Sequence, residues 1–212
     1  LSYLYPQSTF GAHVSAAPHA QTLRQTPLAT RGNVSFFGCL GYELDLKHLL
    51  PVEEQEIKAQ IAFYKQYRDI FQFGQFRRIR DGWQVSRGNT ALAGIYSGLV
   101  HAAPGYQWLR LKHLNPKIRY HVTSRDQRLR IGPFGALVAH IAPVSLDPHG
   151  AVLRFADRHF TLPDGKEDVS CSGAALMAGV PLAPQFMGTG YDKNARTQGD
   201  FGSNLYVIEP VP

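Results

Sequence analysis

One change of periodicity, near residue 75, limits what this chain can fold into. From about Pro51 to Phe73 the apolar residues Ile57, Ile61, Tyr64, Tyr67 and Phe71 recur at helical spacing and form one stripe. Glu53, Glu54 and Glu56 sit in its first turns and Lys65 and Arg68 towards its other end, as the helix dipole favours, and Gly74 stops it. From Phe76 onward the pattern becomes short β-like runs divided by turn residues. A domain boundary is therefore expected near residue 75, with a helix-bearing segment over 1–75 and an antiparallel β domain over 76–212.

In the second segment Trp108–Lys112 and Ile118–Val122 alternate apolar and polar around Asn115-Pro116, which predicts a hairpin. Further strands are expected at Trp83–Val85, Ala91–Tyr96, Arg128–Ile131, Ala136–Ile141, Val152–Phe155 and Leu205–Ile208. Turns at Asp81-Gly82, Asp147-Pro148-His149-Gly150 and Pro163-Asp164-Gly165 separate several of them. Many short strands at this spacing point to an antiparallel sandwich or barrel. The stretch from about Ser172 to Gly202 reads as loop-dominated. Its Met187-Gly188-Thr189-Gly190-Tyr191 reads as turn glycines rather than a phosphate cradle, since no GKS or GKT follows.

The N-terminal run Leu1-Ser2-Tyr3-Leu4-Tyr5-Pro6 is apolar on successive residues and stopped by proline. That is the pattern of a parallel strand covered on both faces, which needs neighbouring strands on each side. Gly11 to Gln25 is small and polar and reads as a loop leaving that strand. Thr26-Pro27 then offers an N-cap with proline at the first helical position, for a helix through about Phe37 before Gly38 and Gly41.

Composition narrows the function classes. Hydrophobic residues make up 44% and charged residues 18%, an ordinary globular balance. No apolar run approaches the roughly 18 residues of a membrane span, so a soluble protein without a membrane partner is expected. Cys39 and Cys171 lie far apart without metal-ligand spacing and read as reduced thiols of a cytoplasmic protein. The net charge is +6, yet the arginines fall in separate short segments that alternate with apolar residues, which argues against a nucleic-acid surface.

Candidate chemistry is sparse. The nine histidines show no HExxH pair, so no metal is expected and no cofactor is implied. No GxSxG nucleophile elbow occurs. Glu43 and Asp45, two apart in Gly41-Tyr42-Glu43-Leu44-Asp45-Leu46, lie in a segment expected between helices and read as residues that cap or connect helices. His13 differs from the other histidines because it follows the end of the expected N-terminal strand, the side on which barrel enzymes build their sites.

Specific strings add to this. LSYLYPQSTFGAHVSAAP, TPLATRG, GYELDL and EEQEIKAQIAFYKQYRDIFQFGQFRRI, in that order, resemble the closing part of the catalytic barrel in family 36 glycoside hydrolases, the bacterial α-galactosidases. LRLKHLNP, SGAALMAGVPL and GDFGSNLYVIE resemble the C-terminal β domain of the same family. Where that family commonly has Pro-Asn-His-Gln, this chain reads Pro18-His19-Ala20-Gln21, so no role passes to His19.

The resemblance implies an α/β fragment, the last strand and helices of a (β/α)8 barrel, followed by an all-β antiparallel sandwich domain. It implies a retaining α-galactosidase acting on terminal α-galactosides of the raffinose and melibiose type. The family's nucleophile motif, of Lys-Trp-Asp type, and its acid/base motif, of Ser-Asp-Asn-Thr-Asp type, do not occur in these 212 residues. No catalytic residue is therefore assigned and the isolated chain is expected to be inactive. Ser8, His13 and Ser15 are the candidates for the mouth of a substrate pocket. Expected partners are the oligosaccharide substrate, the preceding part of the enzyme and further copies of it. The alternative is a non-catalytic carbohydrate-binding or assembly module, with Trp83, Tyr106 or Trp108 stacking on sugar faces.

Overall fold

The computed structural model describes residues 2–132, 134, 135, 147, 150–186 and 192–211. The expected strand Ala136–Ile141 and the glycine-bearing Met187–Tyr191 lie outside the described residues. Mixed α/β structure with antiparallel sheets is what the chain forms, and the described residues contain no helix long and apolar enough to cross a membrane.

The first segment is a βαβα unit: β1 (Gly11–Ser15), α1 (Leu28–Ser35), β2 (Cys39–Glu43) and α2 (Pro51–Phe73). Strands β1 and β2 pair in parallel, with His13 opposite Gly41 and Ser15 opposite Glu43. Of the expected Leu1–Pro6 strand, the described residues Ser2–Pro6 are not a strand. Ser2–Tyr5 form a turn and bend with Tyr3 83% and Leu4 80% exposed, because no strand among the described residues lies beside them to pair with. Pairing falls instead on the small residues read as a loop, where two backbones come together closely and the bare Gly41 leaves room for the His13 ring; a Cβ on Gly41 would lie 2.6 Å from it. The segment read as lying between helices is likewise β2.

Helix α2 takes the bounds its periodicity predicts. Glu53 accepts the Leu50 amide at 2.9 Å and its carboxylate favours the positive helix start. Val52, Ile57, Tyr64 and Phe71 face inward, and so does Gln60, which no apolar pattern marks. Helix α1 starts at Leu28 behind Pro27, which caps it without a side-chain bond; the Thr26 carbonyl accepts Arg31 Nε at 3.1 Å instead.

The second segment is built on a six-stranded antiparallel sheet. Its strands are β3 (Gln75–Ile79), β4 (Gly82–Arg87), β5 (Thr90–Tyr96), β7 (Arg119–Ser124), β10 (Asp168–Ser172) and β12 (Ser203–Pro210), in spatial order β10-β7-β12-β5-β4-β3. Period-2 alternation divides the core. Leu92, Leu205 and Val207 meet Phe36, Phe37, Tyr64 and Phe71 of the helical segment. Ala91, Ala93, Ile95, Tyr206 and Ile208 point the other way, onto Leu109, Leu111, Leu176 and Leu182. Covered on both faces, β5 and β12 are near-continuous apolar runs.

The expected Trp108–Val122 hairpin does not form. The short β6 (Trp108–Leu109) pairs with β11 (Val180–Pro181), and β7 pairs with β10 and β12. The backbone of Lys112 is met by the fully buried Gln84, which donates to its carbonyl at 2.9 Å and accepts from its amide at 2.8 Å, as a neighbouring strand would. Val152–Phe155 is also not a strand but part of α3 (Ala151–His159), since four apolar-rich residues fix no period by themselves. Two small elements complete the fold: the ribbon of β8 (Arg128–Arg130) with β9 (Thr161–Pro163), and α4 (Gly173–Ala178) inside the stretch read as loop.

The β3–β4 turn shows how tightly the sheet closes. Asp81 adopts the left-handed φ of 58° and a Cβ on Gly82 would lie 1.9 Å from the Gly94 carbonyl. Gly82→Ala is expected to lower stability by about 1–3 kcal/mol in urea unfolding, while Gly98→Ala, with open space around it, stays within about 0.5 kcal/mol. Equal effects of the two changes would contradict the close β4–β5 approach.

Candidate functional site

Alternation along β1 sends Val14, fully buried, towards the helices, and His13 and Ser15 to the opposite face. Glu43 shares that face from the end of β2, its Oε2 3.7 Å from His13 Nδ1. Both side chains are more than half exposed, so the pair is a weak one in water. His13, Ser15 and Glu43 thus stand together at the C-terminal half of a parallel strand pair, on a polar face. Ser8 is elsewhere. It lies in the 3-10 turn Gln7–Thr9, before β1, where its carbonyl accepts the Cys39 thiol at 3.3 Å.

Glu43 was read as a capping residue between helices, and its position at a strand end is the correction. Asp45 does cap, accepting the Lys47 amide at 2.9 Å and His48 Nδ1 at 2.7 Å; the first of these bonds is the main reason its carboxyl is held below the usual range. The sequence signal for Glu43 was the alternation Leu40, Tyr42, Leu44 against Gly41, Glu43, Asp45, in a stretch too short to outweigh the flanking helices.

Behind that face a polar network joins the two segments. Arg125, 6% exposed, leaves the end of β7 and its Nη2 meets Glu56 Oε1 of α2 at 2.9 Å. Its Nε donates to Asn33 Oδ1 of α1 at 3.0 Å. Asn33 Nδ2 donates to Gln127 Oε1 at 2.5 Å and to Ser203 Oγ at 2.8 Å, and that hydroxyl donates to Thr30 at 2.9 Å. Gln60 donates to Glu56 at 2.9 Å and accepts the Tyr42 hydroxyl at 2.9 Å. Burial, followed by the Glu56 charge, pushes the Tyr42 phenol up to about 12.

Beside the network a cleft of about 660 Å³ runs between the starts of α1 and α2 and the β8–β9 ribbon. Its charged lining groups are already engaged. Glu56 is held by Arg125, Asp126 by Lys166 at 3.0 Å, and Arg128 donates to Thr161 Oγ1 at 2.7 Å. Arg130 binds Asp157 and lies 3.5 Å from Glu53. Asp164, 5% exposed, accepts the Gly165 and Thr197 amides at 2.8 and 2.9 Å, yet burial outweighs them and raises its carboxyl above the usual value. Of the aromatics considered for sugar stacking, Trp83 packs among Phe37, Phe76 and Tyr96, while Tyr106 and Trp108 are 73% and 49% exposed. Among the described residues no group of three or more His, Cys, Asp or Glu is placed to hold a metal ion.

Known proteins share this fold. Residues 81–208 match the Glycosyl hydrolase family 36 C-terminal domain and residues 1–74 match Melibiase. The chain belongs to glycoside hydrolase family 36. It is 38% identical over 130 residues to α-galactosidase AgaA of Geobacillus stearothermophilus, covering 57% of this chain and 18% of that one. It is 35% identical over 134 residues to α-galactosidase Mel36A of Lactobacillus acidophilus, covering 59% and 18%. The crystal structure of an α-galactosidase from Lactobacillus brevis superposes with a TM-score of 0.68 at 32% identity, over 98% of this chain and 23% of that one. A variant of AgaA in complex with raffinose gives a TM-score of 0.68 at 28% identity, over 99% and 23%. This family 36 chain spans about a fifth of the length of the curated relatives it matches.

Removing one member of the Arg125–Glu56 pair leaves a buried charge alone. Arg125→Met is expected to lower stability by about 3–5 kcal/mol, and adding Glu56→Leu restores much of the loss. Urea unfolding of the single and double variants measures this; a single variant within about 1 kcal/mol of the parent would contradict the clasp. Tyr42 gives a pH test. Its folded pKa is raised, so its contribution is intact below about pH 10 and lost as pH rises towards 12. Tyr42→Phe is expected to lose less stability than the parent across that alkaline window.

Proposed function

We propose that this chain forms the C-terminal part of a retaining α-galactosidase that hydrolyses terminal α-galactosides. The observation that carries the reading is the ordered match of two family 36 regions, 1–74 and 81–208, over one continuous fold. In this reading β1, β2 and their helices are closing elements of a (β/α)8 barrel, and the sheet with its small covering layer is the sandwich-like C-terminal domain, divided near residue 75. The open edges of the two-stranded β1–β2 sheet support it, because a parallel pair takes neighbours on both sides.

Retaining hydrolysis needs one carboxylate to attack the anomeric carbon while another, about 5–5.5 Å away, protonates the leaving oxygen; water then cleaves the glycosyl intermediate. The carboxylates around the cleft are engaged by cations or amides, which fits a structural part for them. Both catalytic acids belong, on this proposal, to preceding strands of the same enzyme. His13, Ser15 and Glu43 sit on the barrel's inner face towards the C-terminal strand ends, where they offer hydrogen bonds to substrate hydroxyls. Oligosaccharides such as raffinose are the proposed substrates, further copies of the enzyme the proposed assembly partners, and the cytoplasm the proposed location, in keeping with two free thiols.

A chromogenic α-galactoside tests this. The isolated chain is expected to give no turnover, and a chimera carrying it in place of the matching region of AgaA is expected to hydrolyse the substrate and release galactose first as the α anomer. Turnover by the isolated chain, or a folded chimera that releases the β anomer first, would contradict the proposal.

A further inference from the structure

We propose that the loop between β1 and α1 forms a receptor for a tetrahedral oxyanion, phosphate or sulfate. This goes beyond the hydrolase reading, because a neutral α-galactoside brings no negative charge for such a pocket to answer. The pocket, about 150 Å³, lies directly after β1 and is lined by Ser15, His19, Thr22, Arg24, Thr26 and Arg31, together with two alanines. That volume is below the roughly 300–1,000 Å³ of sites for drug-sized ligands, so it admits a small ion or one terminal group of a larger molecule.

The charge of the lining is of one sign. It holds two arginines and a histidine, and no Asp or Glu. Arg31 is half-buried and its fork is held by neutral groups: Nε donates to the Thr26 carbonyl at 3.1 Å and Nη1 to the Ser15 carbonyl. These bonds fix the guanidinium without matching its charge, and Nη2 has no partner among the described residues. Burial pushes the Arg31 pKa down against the pull of Glu53, a cost that a bound anion offsets. Arg24 stacks over the Phe201 ring, 4.8 Å from its centroid, which leaves the edge N–H groups of its guanidinium for an acceptor. Neighbouring acids are committed elsewhere. Glu53 accepts the Leu50 amide and lies 3.5 Å from Arg130, and Asp200, next to Phe201 in sequence, accepts the Val100 amide at 2.8 Å.

The neutral groups add donors. The Gln21 amide donates to His19 Nδ1 at 3.3 Å, so a neutral His19 carries its proton on Nε2, which has no partner among the described residues. Thr22 and Thr26 bring hydroxyls to the same lining, while the Ser15 and Thr26 carbonyls already accept from Arg31. Donors thus outnumber free acceptors, which selects a ligand that accepts on every side, and a guanidinium binds an oxyanion more strongly than a neutral acceptor. The turn is closed without the ligand: the His19 amide donates to the Arg24 carbonyl at 2.9 Å and the Leu23 amide to the His19 carbonyl at 2.8 Å. Such preorganisation lowers the ordering cost of binding.

Amide NMR titration of the 212-residue chain at low ionic strength tests the pocket, with inorganic phosphate, sulfate and methyl phosphate as probes and chloride as the control. Phosphate and sulfate are expected to bind saturably and to shift amides within 15–31, while chloride at the same concentration does not. Methyl phosphate separates the two sources of the ligand. Affinity at least equal to that of inorganic phosphate assigns the pocket to the phosphoryl group of a larger molecule, and lower affinity assigns it to the free ion; both carry the oxyanion chemistry. Arg24→Gln, at an exposed position, is expected to weaken phosphate binding at least about fivefold with the melting temperature unchanged. Arg128 of the neighbouring cleft also lacks a carboxylate partner among the described residues, and Arg128→Gln is expected to leave the affinity within about twofold. No saturable binding, shifts centred outside 15–31, binding unchanged in Arg24→Gln, or an equal loss in Arg128→Gln would each overturn the proposal. None of these results depends on turnover by the chimera, so the two readings fail separately.

Discussion

The Arg125–Glu56 pair is the contact on which the rest of this fold depends. Moving two charges out of water costs several kcal/mol per ion unless every remaining donor and acceptor is matched. Here the guanidinium reaches Glu56 and Asn33, and Gln60 takes a further place on the Glu56 carboxylate. These partners come from α1, α2 and the end of β7, so the charges are satisfied only when the helical segment and the sheet sit in one register. Apolar contact between Phe36, Phe71, Leu92 and Val207 supplies the attraction. Attraction of that kind has little direction, and the polar clasp gives it one.

From that register follow the features that bear on function. Seating α1 and α2 on the sheet leaves β1 and β2 with a buried face bearing Val14 and an outer face bearing His13, Ser15 and Glu43. It also opens the cleft beside the clasp, whose charged lining is engaged by its own protein partners. Holding β1 and β2 against the six-stranded sheet through α1 and α2 keeps the side chains at their ends fixed relative to that sheet.

Much of this was legible in the residues. Helix α2 announces itself through a five-residue apolar stripe and charges matched to its dipole, and β5 and β12 through their apolar runs. What escaped did so for physical reasons. The Leu1–Pro6 run has strand composition, but a strand exists only if something pairs with it; the pairing fell on Gly11–Ser15, whose small residues look like a loop. The hairpin around Asn115 failed because the buried Gln84 satisfies Lys112 in a partner strand's place, a substitution no local pattern reveals. Of the candidate site, His13 stood out by position and Ser15 through the family resemblance, but Glu43 emerged only once β2 was seen as a strand. The cleft and the clasp join residues 33, 56, 125 and 203, too far apart in sequence for any spacing rule.

Native-state hydrogen exchange tests most directly whether the helical segment and the sheet are one cooperative unit. Amides of Ile57 and Tyr64 in α2 and of Leu92 and Val207 in the sheet are predicted to open with the same free energy and the same denaturant dependence. If the α2 amides open at a free energy lower by about 2 kcal/mol or more, with the sheet still protected, the clasp does not join the two segments.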